Sequence, residues 1–484
     1  MKVLLASSEL HPHSKTGGLA DMVAALAKYL AKAGHQVTVV TPLYRSVAAG
    51  AAAEPLEQGL LIPLGGALLA AQVRVLRPQP RLTVCFLDQP ELFNRAGIYD
   101  EKQELGRVAY PDNFERFTFF SKATVEIARH FIETPQIIHL HDWQTGLVPL
   151  MVRHLGWYEG WTPTPRTVFT IHNLGYPGRA AGAKFALTGL PAYYFHPDAC
   201  EFYGDVNPLK TGIMFADAVT TVSPTYAGEI TTREFGAGLD GVLRRRRDVL
   251  SGILNGVDYE VWRTDGNPHL PHSYTAAAPM GKAANKAALQ RELGLPEHAG
   301  APLFGTVSRL EEQKGIDLIL GALEDLLGED IQYVLLGSGD EQLEAAARDV
   351  AARFPDKVRF VQARDERLAH RIEAASDFYL MPSRYEPCGL NQMYSLRYGA
   401  VPVVRSTGGL HDSVIDARQD PVRANGIKFD EPSVPALAGA MRKALALWAE
   451  PEALAHYRRN GMQADFSWKR SVKEYVDLYR GLLR

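Results

Sequence analysis

Strand-like and helix-like segments alternate along almost the whole chain, and this alternation constrains the fold more than any other feature of the sequence. In the first half, apolar runs that predict strands lie at Val3–Ala6, Gln36–Thr41, Leu82–Leu87, Ile137–Leu140, Thr167–Ile171 and Ala218–Val222. A second series consists of Pro302–Ser308, Tyr333–Gly337, Val358–Gln362, Phe378–Met381 and Val401–Val404. This order is typical of parallel sheets covered by helices, so we predict an α/β fold with two such sheets.

The length of the chain and the composition of one stretch predict the domain boundaries. A chain of 484 residues exceeds one ordinary domain, and Leu254–Pro268 is rich in the Gly, Asp, Asn and Pro of a crossing between domains. We predict one domain over 1–254, a second over 255–465 and a final helix over 466–484. The apolar side chains that would share one face of this helix are Trp468, Val472, Tyr475, Val476, Tyr479 and Leu483.

Composition argues against several classes of protein. A net charge of −3 provides no field for binding nucleic acid, and no apolar run is long enough to span a bilayer. Cys85, Cys200 and Cys388 are too few and too scattered for a disulfide framework, and no signal-peptide pattern precedes the first strand, so we expect a cytoplasmic protein. The Ala-, Gly- and Pro-rich stretch Ala48–Gly65 predicts a surface excursion.

A glycine pair, Gly17 and Gly18, lies between the first strand and the first helix. At such a turn, backbone N–H groups and the positive end of the helix dipole favour an anion, and glycine lets it approach closely. Lys15 adds a positive charge beside the pair, which favours a phosphate as the ligand. A tight turn with a solvated lysine is the structural alternative.

Three stretches of the second half follow predicted strands and carry further candidates. Arg309 and Lys314 follow Pro302–Ser308 and could grip a diphosphate, although two surface cations at a helix end would show the same pattern. Glu386 follows Phe378–Met381, and Pro387 predicts that a helix begins there and ends at Gly399.

Near this stretch we interpret Cys388 as a small residue in a crowded turn, because no histidine lies nearby in sequence to activate it. A second glycine turn, Ser406–Leu410, follows the strand Val401–Val404.

Histidines and a carboxylate end two strands of the first half. His139, His141, Asp142 and His172 have the side-chain types of a metal site. Protein cations and backbone amides would already balance a diphosphate, so we favour hydrogen bonds from Asp142, His172 and Asn173 to a sugar.

With these stretches assembled, the sequence resembles bacterial glycogen synthases and plant starch synthases. The matching segments occur in the family's order and are Lys15–Asp21, His141–Trp143, Thr170–Asn173, Asn255–Asp258, Ser308–Leu310 with Gln313–Gly315, and Pro382–Leu390. The resemblance implies the GT-B fold, with two Rossmann-like doubly wound domains facing across a deep cleft and a C-terminal helix crossing back to the N-terminal domain. It also implies a retaining glucosyltransferase that moves glucose from ADP-glucose to the non-reducing end of an α-1,4-glucan, with no cofactor or metal.

The same resemblance assigns the site residues. Arg309 and Lys314 would hold the diphosphate, while Glu386, Asp142 and His172 would surround the glucose, and we assign these five as catalytic. The positions assigned to substrate binding are Lys15, Gly17, Gly18, Asp21, Asn173, Asn255, Arg364, Cys388, Gly389, Leu390, Thr407, Gly408 and Gly409.

One position departs from the family's pattern. Ala363-Arg364-Asp365 stands where the family usually has Gly-Tyr-Asp, and the usual tyrosine is associated with the nucleotide base. Arg364 could stack on the base, contact a donor phosphate or Asp365, or lie on the surface. The alternatives for the function are a starch synthase, a synthase that prefers UDP-glucose, a pyridoxal-phosphate-dependent glucan phosphorylase, and a non-catalytic glucan-binding protein.

Overall fold

The computed structural model describes residues 1–47, 53–103 and 106–484. They divide into two compact units, which are described separately. The first unit consists of Met1–Val222, Ala227–Gly256 and Trp468–Arg484, and the second of Ser223–Tyr226 and Val257–Ser467.

The strands before the second unit are β1 Lys2–Ala6, β2 Gln36–Pro42, β3 Glu54–Pro55, β4 Leu60–Leu64, β5 Ala67–Gln79, β6 Leu82–Asp88, β7 Asp100–Gln103, β8 Gly106–Ala109, β9 Ile137–His141, β10 Arg166–Ile171, β11 Ala180–Ala181, β12 Glu201–Phe202, β13 Asp205–Val206, β14 Ala218–Thr221 and β15 Leu250–Gly252. The helices are α1 Gly18–Lys32, α2 Pro90–Phe93, α3 Asn113–His130, α4 Val148–Tyr158, α5 Pro208–Phe215, α6 Pro224–Glu229 and α7 Asp240–Arg245. The main sheet has the order β15-β14-β10-β9-β1-β2-β6-β5-β3.

The six strands that the sequence predicts in this half form the parallel part of the main sheet from β14 to β6. The parallel strand β15, beside β14, was not predicted. The six predicted strands are continuous apolar runs because helices cover both faces of a parallel sheet, and Val3–Ala6 of β1 is fully buried. The sheet continues beyond β6 with antiparallel strands, which the alternation of strands and helices did not predict.

The prediction of a surface excursion over Ala48–Gly65 fits the exposed residues 54, 55 and 57–59 but is wrong for Leu60–Leu64. Residues 48–52 lie outside the described residues, but β4 pairs antiparallel with β5 and buries Leu60, Ile62 and Leu64. The period-two alternation of these side chains is the strand signal, and the Gly- and Pro-rich composition around them obscured it.

The second unit contains β16 Leu303–Val307, β17 Gln332–Leu336, β18 Val358–Val361, β19 Phe378–Met381, β20 Val401–Arg405 and β21 Ile427–Phe429. Its helices are α8 Met280–Glu292, α9 Ile316–Leu326, α10 Glu341–Arg353, α11 Glu366–Ala375, α12 Asn391–Arg397, α13 Gly408–Ser413, α14 Val434–Trp448 and α15 Pro451–Gln463. All pairs in its sheet are parallel, in the order β18-β17-β16-β19-β20-β21. This is the doubly wound order that places the first strand in the middle.

The last helix, α16 Trp468–Leu482, belongs to the first unit and contacts α1. Its buried face includes five of the six side chains that the sequence predicts for it, but Leu483 follows the helix and is 39% exposed. Inside the unit, the Tyr479 hydroxyl lies 2.6 Å from Nδ1 of His139, and both side chains are fully buried. The helix is therefore fixed by a buried polar contact as well as by apolar packing.

Among the described residues, no helix has both the length and the apolar character needed to cross a membrane.

Replacing Tyr479 with phenylalanine should lower the free energy of unfolding of the first unit by about 1–3 kcal/mol, because Nδ1 of His139 would stay buried without this partner. Urea denaturation measures the change. Tyr203→Phe is the matched control, since the Tyr203 side chain is 84% exposed. Equal stability of the two variants would contradict the role given to the buried contact.

Candidate active site

In both sheets, loops that carry candidate residues follow neighbouring strands at a point where the strand order reverses. In the first unit, β1 lies between β2 and β9, and the loops after β1 and β9 carry Lys15 and Asp142. In the second unit, β16 lies between β17 and β19, and the loops after β16 and β19 carry Lys314 and Glu386. Crevices at such switch points are where open α/β sheets bind their ligands.

The glycine turn of the first unit already holds an anion, which is the Glu9 carboxylate. It accepts hydrogen bonds from the backbone N–H groups of Thr16 at 2.6 Å and Gly17 at 3.3 Å, and from the Thr16 hydroxyl at 2.6 Å. Tyr99 donates a further bond to it at 2.9 Å, and Glu9 is only 3% exposed. A phosphate at this turn would therefore meet the N–H groups of α1 from Gly18 onward, not those of Thr16 and Gly17.

The cation of the same loop also has an internal partner. Nζ of Lys15 lies 2.9 Å from both carboxylate oxygens of Asp21, one turn into α1. The pair is partly exposed, since 42% and 30% of the two side chains are accessible to solvent. Lys15 and Asp21, which the sequence assigns to substrate binding, are thus held together.

Asp142 ties the ends of β9 and β10 together. Its carboxylate accepts the backbone N–H of His172 at 2.7 Å, and its φ of 57° is one that residues other than glycine rarely adopt. The pKa of Asp142 is raised to about 7, mainly by burial and to a smaller extent by nearby Glu9. Hydrogen bonds from the N–H groups of His172 and Asn173 act in the opposite direction and lower this pKa. Burial thus favours the neutral form of Asp142 relative to an exposed aspartate.

The histidines beside Asp142 form a neutral buried cluster. Burial lowers the pKa of His139 and His172 to about 3, and that of His141 well below its usual value. Both ring nitrogens of His139 are engaged, with Tyr479 and with Thr170 at 2.6 Å each, and Nδ1 of His141 lies 3.1 Å from Nε2 of His172. Residues 1–47, 53–103 and 106–484 contain no group of three or more His, Cys, Asp or Glu that could hold a metal ion.

In the second unit, Lys314 and Glu386 form an ion pair of 2.6 Å, and Glu386 is only 5% exposed. The Ser383 hydroxyl donates to the same carboxylate oxygen at 3.0 Å. The prediction that a helix begins at Glu386 is wrong, because α12 begins only at Asn391. A cation and a hydroxyl, rather than a helix dipole, therefore stabilise this carboxylate.

The second glycine turn packs directly on the backbone of the Glu386 loop. A Cβ on Gly408 would lie 2.0 Å from the carbonyl oxygen of Glu386, and one on Gly409 would lie 1.9 Å from that of Cys388. The N–H of Gly409 donates to the Glu386 carbonyl at 3.1 Å. These glycines thus permit a close backbone approach, which shapes the loop from Glu386 to Gly389.

The remaining predicted residues differ in their surroundings. Arg309 donates to Glu311 at 2.7 Å, close to the start of the 3-10 turn Glu312–Lys314. Arg364 is exposed after β18, which β17 separates from β16, and among the described residues no hydrogen bond or ion pair involves its side chain. Asp365 instead caps α11, accepting the N–H of Leu368 at 2.9 Å. Oδ1 of Asn255 is buried and has no hydrogen-bond partner within the described part of the chain.

Two side chains that sequence reasoning missed support the switch point of the second unit. The Tyr379 hydroxyl accepts the N–H of Val307 at 2.8 Å, and Nδ2 of Asn391 donates to the Val307 carbonyl at 2.5 Å and to the Tyr379 hydroxyl at 3.0 Å. Pairing of β16 with β19 ends at Gly305, so the N–H and carbonyl of Val307 have no backbone partner in β19. The side chains of Tyr379 and Asn391 form hydrogen bonds with these two groups instead. No periodicity reveals this role, because it depends on where two strands diverge.

Comparison with known proteins identifies the family of this chain. The family model of the starch synthase catalytic domain matches residues 2–245, and that of the glycosyl transferases group 1 matches residues 292–461. A glycogen synthase of Anaeromyxobacter dehalogenans (strain 2CP-C) is 47% identical over the full length of both chains, and one of Myxococcus xanthus (strain DK1622) is 46% identical over the full length of both. The chain belongs to the glycogen synthase family.

Its fold is the two-domain GT-B fold of glycosyltransferases. The catalytic domain of starch synthase IV from Arabidopsis thaliana, solved with ADP and acarbose, is similar over 100% of this chain and 99% of that one, with a TM-score of 0.90 and 34% identity. The resemblance and the GT-B fold inferred from the sequence are confirmed. As a glycogen synthase family member, the protein is a glycosyltransferase.

Replacing Gly409 with alanine should reduce the turnover of this glycosyltransferase about a hundredfold, because the new Cβ must push the Cys388 carbonyl, and with it the Glu386 loop, by more than 1 Å. Initial rates of glycosyl transfer measure the loss, and circular dichroism checks that the variant is folded. Gly439→Ala in α14 is the control, because a Cβ there meets no atom within 4 Å. Normal turnover in folded Gly409→Ala would overturn the shaping role of the glycine turn.

Proposed function

We propose that this glycosyltransferase moves glucose from ADP-glucose to the non-reducing end of an α-1,4-glucan and retains the anomeric configuration. The observation that carries the proposal is the ion pair of Lys314 with buried Glu386 at the switch point of the second sheet, in the same short loop region as Arg309. The names of the relatives support glycogen as the glucan, and the ADP bound to the starch synthase relative supports the adenine nucleotide.

In this proposal, Arg309 and Lys314 bind the diphosphate of the donor. A guanidinium can donate two parallel hydrogen bonds to phosphate oxygens, and an ammonium adds a point charge. Both residues lie in the segment between β16 and α9, and the backbone of this segment is fixed at Val307 by Tyr379 and Asn391. These cations would also stabilise the charge that builds on the departing ADP, which is the role of preorganised donors in catalysis.

Glu386 and Asp142 are proposed to contact the glucose. Ionised carboxylates accept hydrogen bonds from sugar hydroxyls and stabilise positive charge at an oxocarbenium-like carbon. His172, neutral because burial lowers its pKa to about 3, would hydrogen-bond the sugar as well, and Asn173 follows it. We propose attack from the same face as departure, with a leaving-phosphate oxygen taking the proton of the acceptor hydroxyl.

The other assigned residues have supporting roles in the proposal. Lys15 and the N–H groups at the start of α1, including that of Gly18, would contact the donor. The backbone from Cys388 to Leu390, held against Gly408 and Gly409, would shape the sugar site. The three free cysteines are all buried, which agrees with the cytoplasm as the proposed compartment.

The direct test is release of ADP from ADP-glucose in the presence of glycogen. Arg309→Ala or Lys314→Ala should lower turnover about 10²- to 10³-fold, because each removes a charge that meets the leaving phosphate. Arg353→Ala is the matched control. Arg353, the last residue of α10, forms a solvent-exposed ion pair with Glu324 of α9. Near-normal turnover in Arg309→Ala or Lys314→Ala would contradict the proposed phosphate contact of that residue. If the unmodified protein releases no ADP, ADP-glucose is not its donor.

For Arg364, we propose stacking on the adenine, since a planar guanidinium can lie on an aromatic face. Its exposed side chain, with no hydrogen bond within the described residues, is available for such a contact. Arg364→Ala should raise the KM for ADP-glucose several-fold with little change in turnover, and Arg364→Tyr should restore it, because stacking of this kind contributes about 0.5–2 kcal/mol.

Arg367→Ala, which removes another exposed arginine near the start of α11, serves as the control for Arg364. An unchanged KM in Arg364→Ala would show that the side chain does not touch the donor.

A further inference from the structure

Arg309 is held by a carboxylate that follows it by two residues. Nη1 of Arg309 lies 2.7 Å from Oε1 of Glu311, and both side chains are partly exposed, by 40% and 34%. Between them, Leu310 is fully buried and bridged to the segment before α10, with its N–H donating to Ser338 and its carbonyl accepting from Asp340. The N–H of Glu311 donates to the Arg309 carbonyl at 3.1 Å, so a three-residue turn around Leu310 keeps the two charged residues close together.

The two carboxylates of this region differ in their freedom to move. Glu386 is buried and held by both Lys314 and Ser383. Glu311 is the residue that precedes the turn Glu312–Lys314, yet its side chain does not cap that turn. Within the described residues, its carboxylate has only Arg309 as a hydrogen-bond partner, so it can rotate into solvent.

The charges of this region cancel before any ligand is bound. Arg309 and Lys314 contribute two positive charges, while Glu311 and Glu386 contribute two negative ones. A nucleoside diphosphate brings at least two further negative charges, which Glu311 and Glu386 would repel while Arg309 and Lys314 attract them. A phosphate that binds Arg309 must compete with Glu311 for the charge of the guanidinium, and Glu311 is the carboxylate that is partly exposed.

We infer that Glu311 is an internal counter-ion that occupies Arg309 in the absence of donor, gives way to a donor phosphate, and pairs with Arg309 again as the nucleoside diphosphate departs. The inference rests on the proposed function, in which Arg309 binds the diphosphate. Glu311 then sets the affinity for donor and product without touching the reacting atoms. Its carboxylate weakens binding of the nucleoside diphosphate and promotes its release.

The test is the dissociation constant of ADP, measured by calorimetry on the full chain. Glu311→Gln should bind ADP about two- to fivefold more tightly, which is the scale of a partly exposed ion pair. The KM for ADP-glucose should fall by a similar factor, and inhibition by inorganic phosphate should become stronger. Glu312→Gln is the matched control, because it removes the same charge from the next residue, whose side chain is 86% exposed and 3.9 Å from Arg384.

The direction in which Glu311→Gln changes the dissociation constant of ADP distinguishes a counter-ion role of Glu311 from a purely structural role. If Glu311 only positions Arg309, Glu311→Gln weakens ADP binding, and that result or an unchanged constant overturns the inference. Equal tightening in Glu312→Gln also overturns it, because the effect would then be one of general charge. In an Arg309→Ala background, Glu311→Gln should have no further effect.

Arg309→Ala also separates the two proposals. If this variant binds ADP as tightly as the unmodified protein, the proposed phosphate contact of Arg309 fails, and the inference about Glu311 fails with it. If Arg309→Ala weakens binding while Glu311→Gln does not tighten it, only the role of Glu311 is overturned.

Discussion

The ion pair between Lys314 and Glu386 joins the loop after β16 to the loop after β19. The candidate site of the second unit depends on this ion pair. Pairing of β16 with β19 stops at Gly305, which leaves backbone groups of β16 without ladder partners. Tyr379 and Asn391 satisfy these groups at Val307. Specific hydrogen bonds therefore support the point where the two strands separate, and the buried Glu386 carboxylate can persist beside it because a cation and a hydroxyl stabilise it.

Each of the three candidate phosphate-binding cations, Lys15, Arg309 and Lys314, has a carboxylate of its own unit beside it. Asp21 pairs with Lys15, Glu311 with Arg309 and Glu386 with Lys314, while Glu9 accepts the N–H groups of the glycine turn. Partly buried charges need such partners, because an unpaired charge away from water is unfavourable. In the proposed function, a donor phosphate would compete with these carboxylates, and its binding free energy would depend on how firmly each carboxylate is held.

Sequence reasoning located most strands and placed the candidate residues at strand ends, because apolar periodicity and glycine turns are local signals. It was wrong where local signals mislead. Pro387 predicted a helix start, but the chain around Glu386 follows the backbone of Gly408 and Gly409, which pack against it from a distant part of the sequence. It also missed β4, since Gly and Pro nearby outweighed the alternation of Leu60, Ile62 and Leu64. Leu483 has helix periodicity but lies beyond the end of α16 and is exposed.

The sequence by itself determined the alternation of strands and helices, the positions of the glycine turns and the family to which their motifs belong. These features depend on residues close together in the chain, where side-chain period and backbone preference act directly. Only the tertiary structure decided which carboxylate meets which cation, that Glu9 fills the first glycine turn and that Tyr379 and Asn391 support Val307. The contacts of Lys314 with Glu386 and of Val307 with Tyr379 and Asn391 join residues far apart in sequence, and they arise because parallel strands bring distant loops to the same edge of a sheet. The other contacts are local in sequence, but no sequence pattern specifies which side chains meet in them.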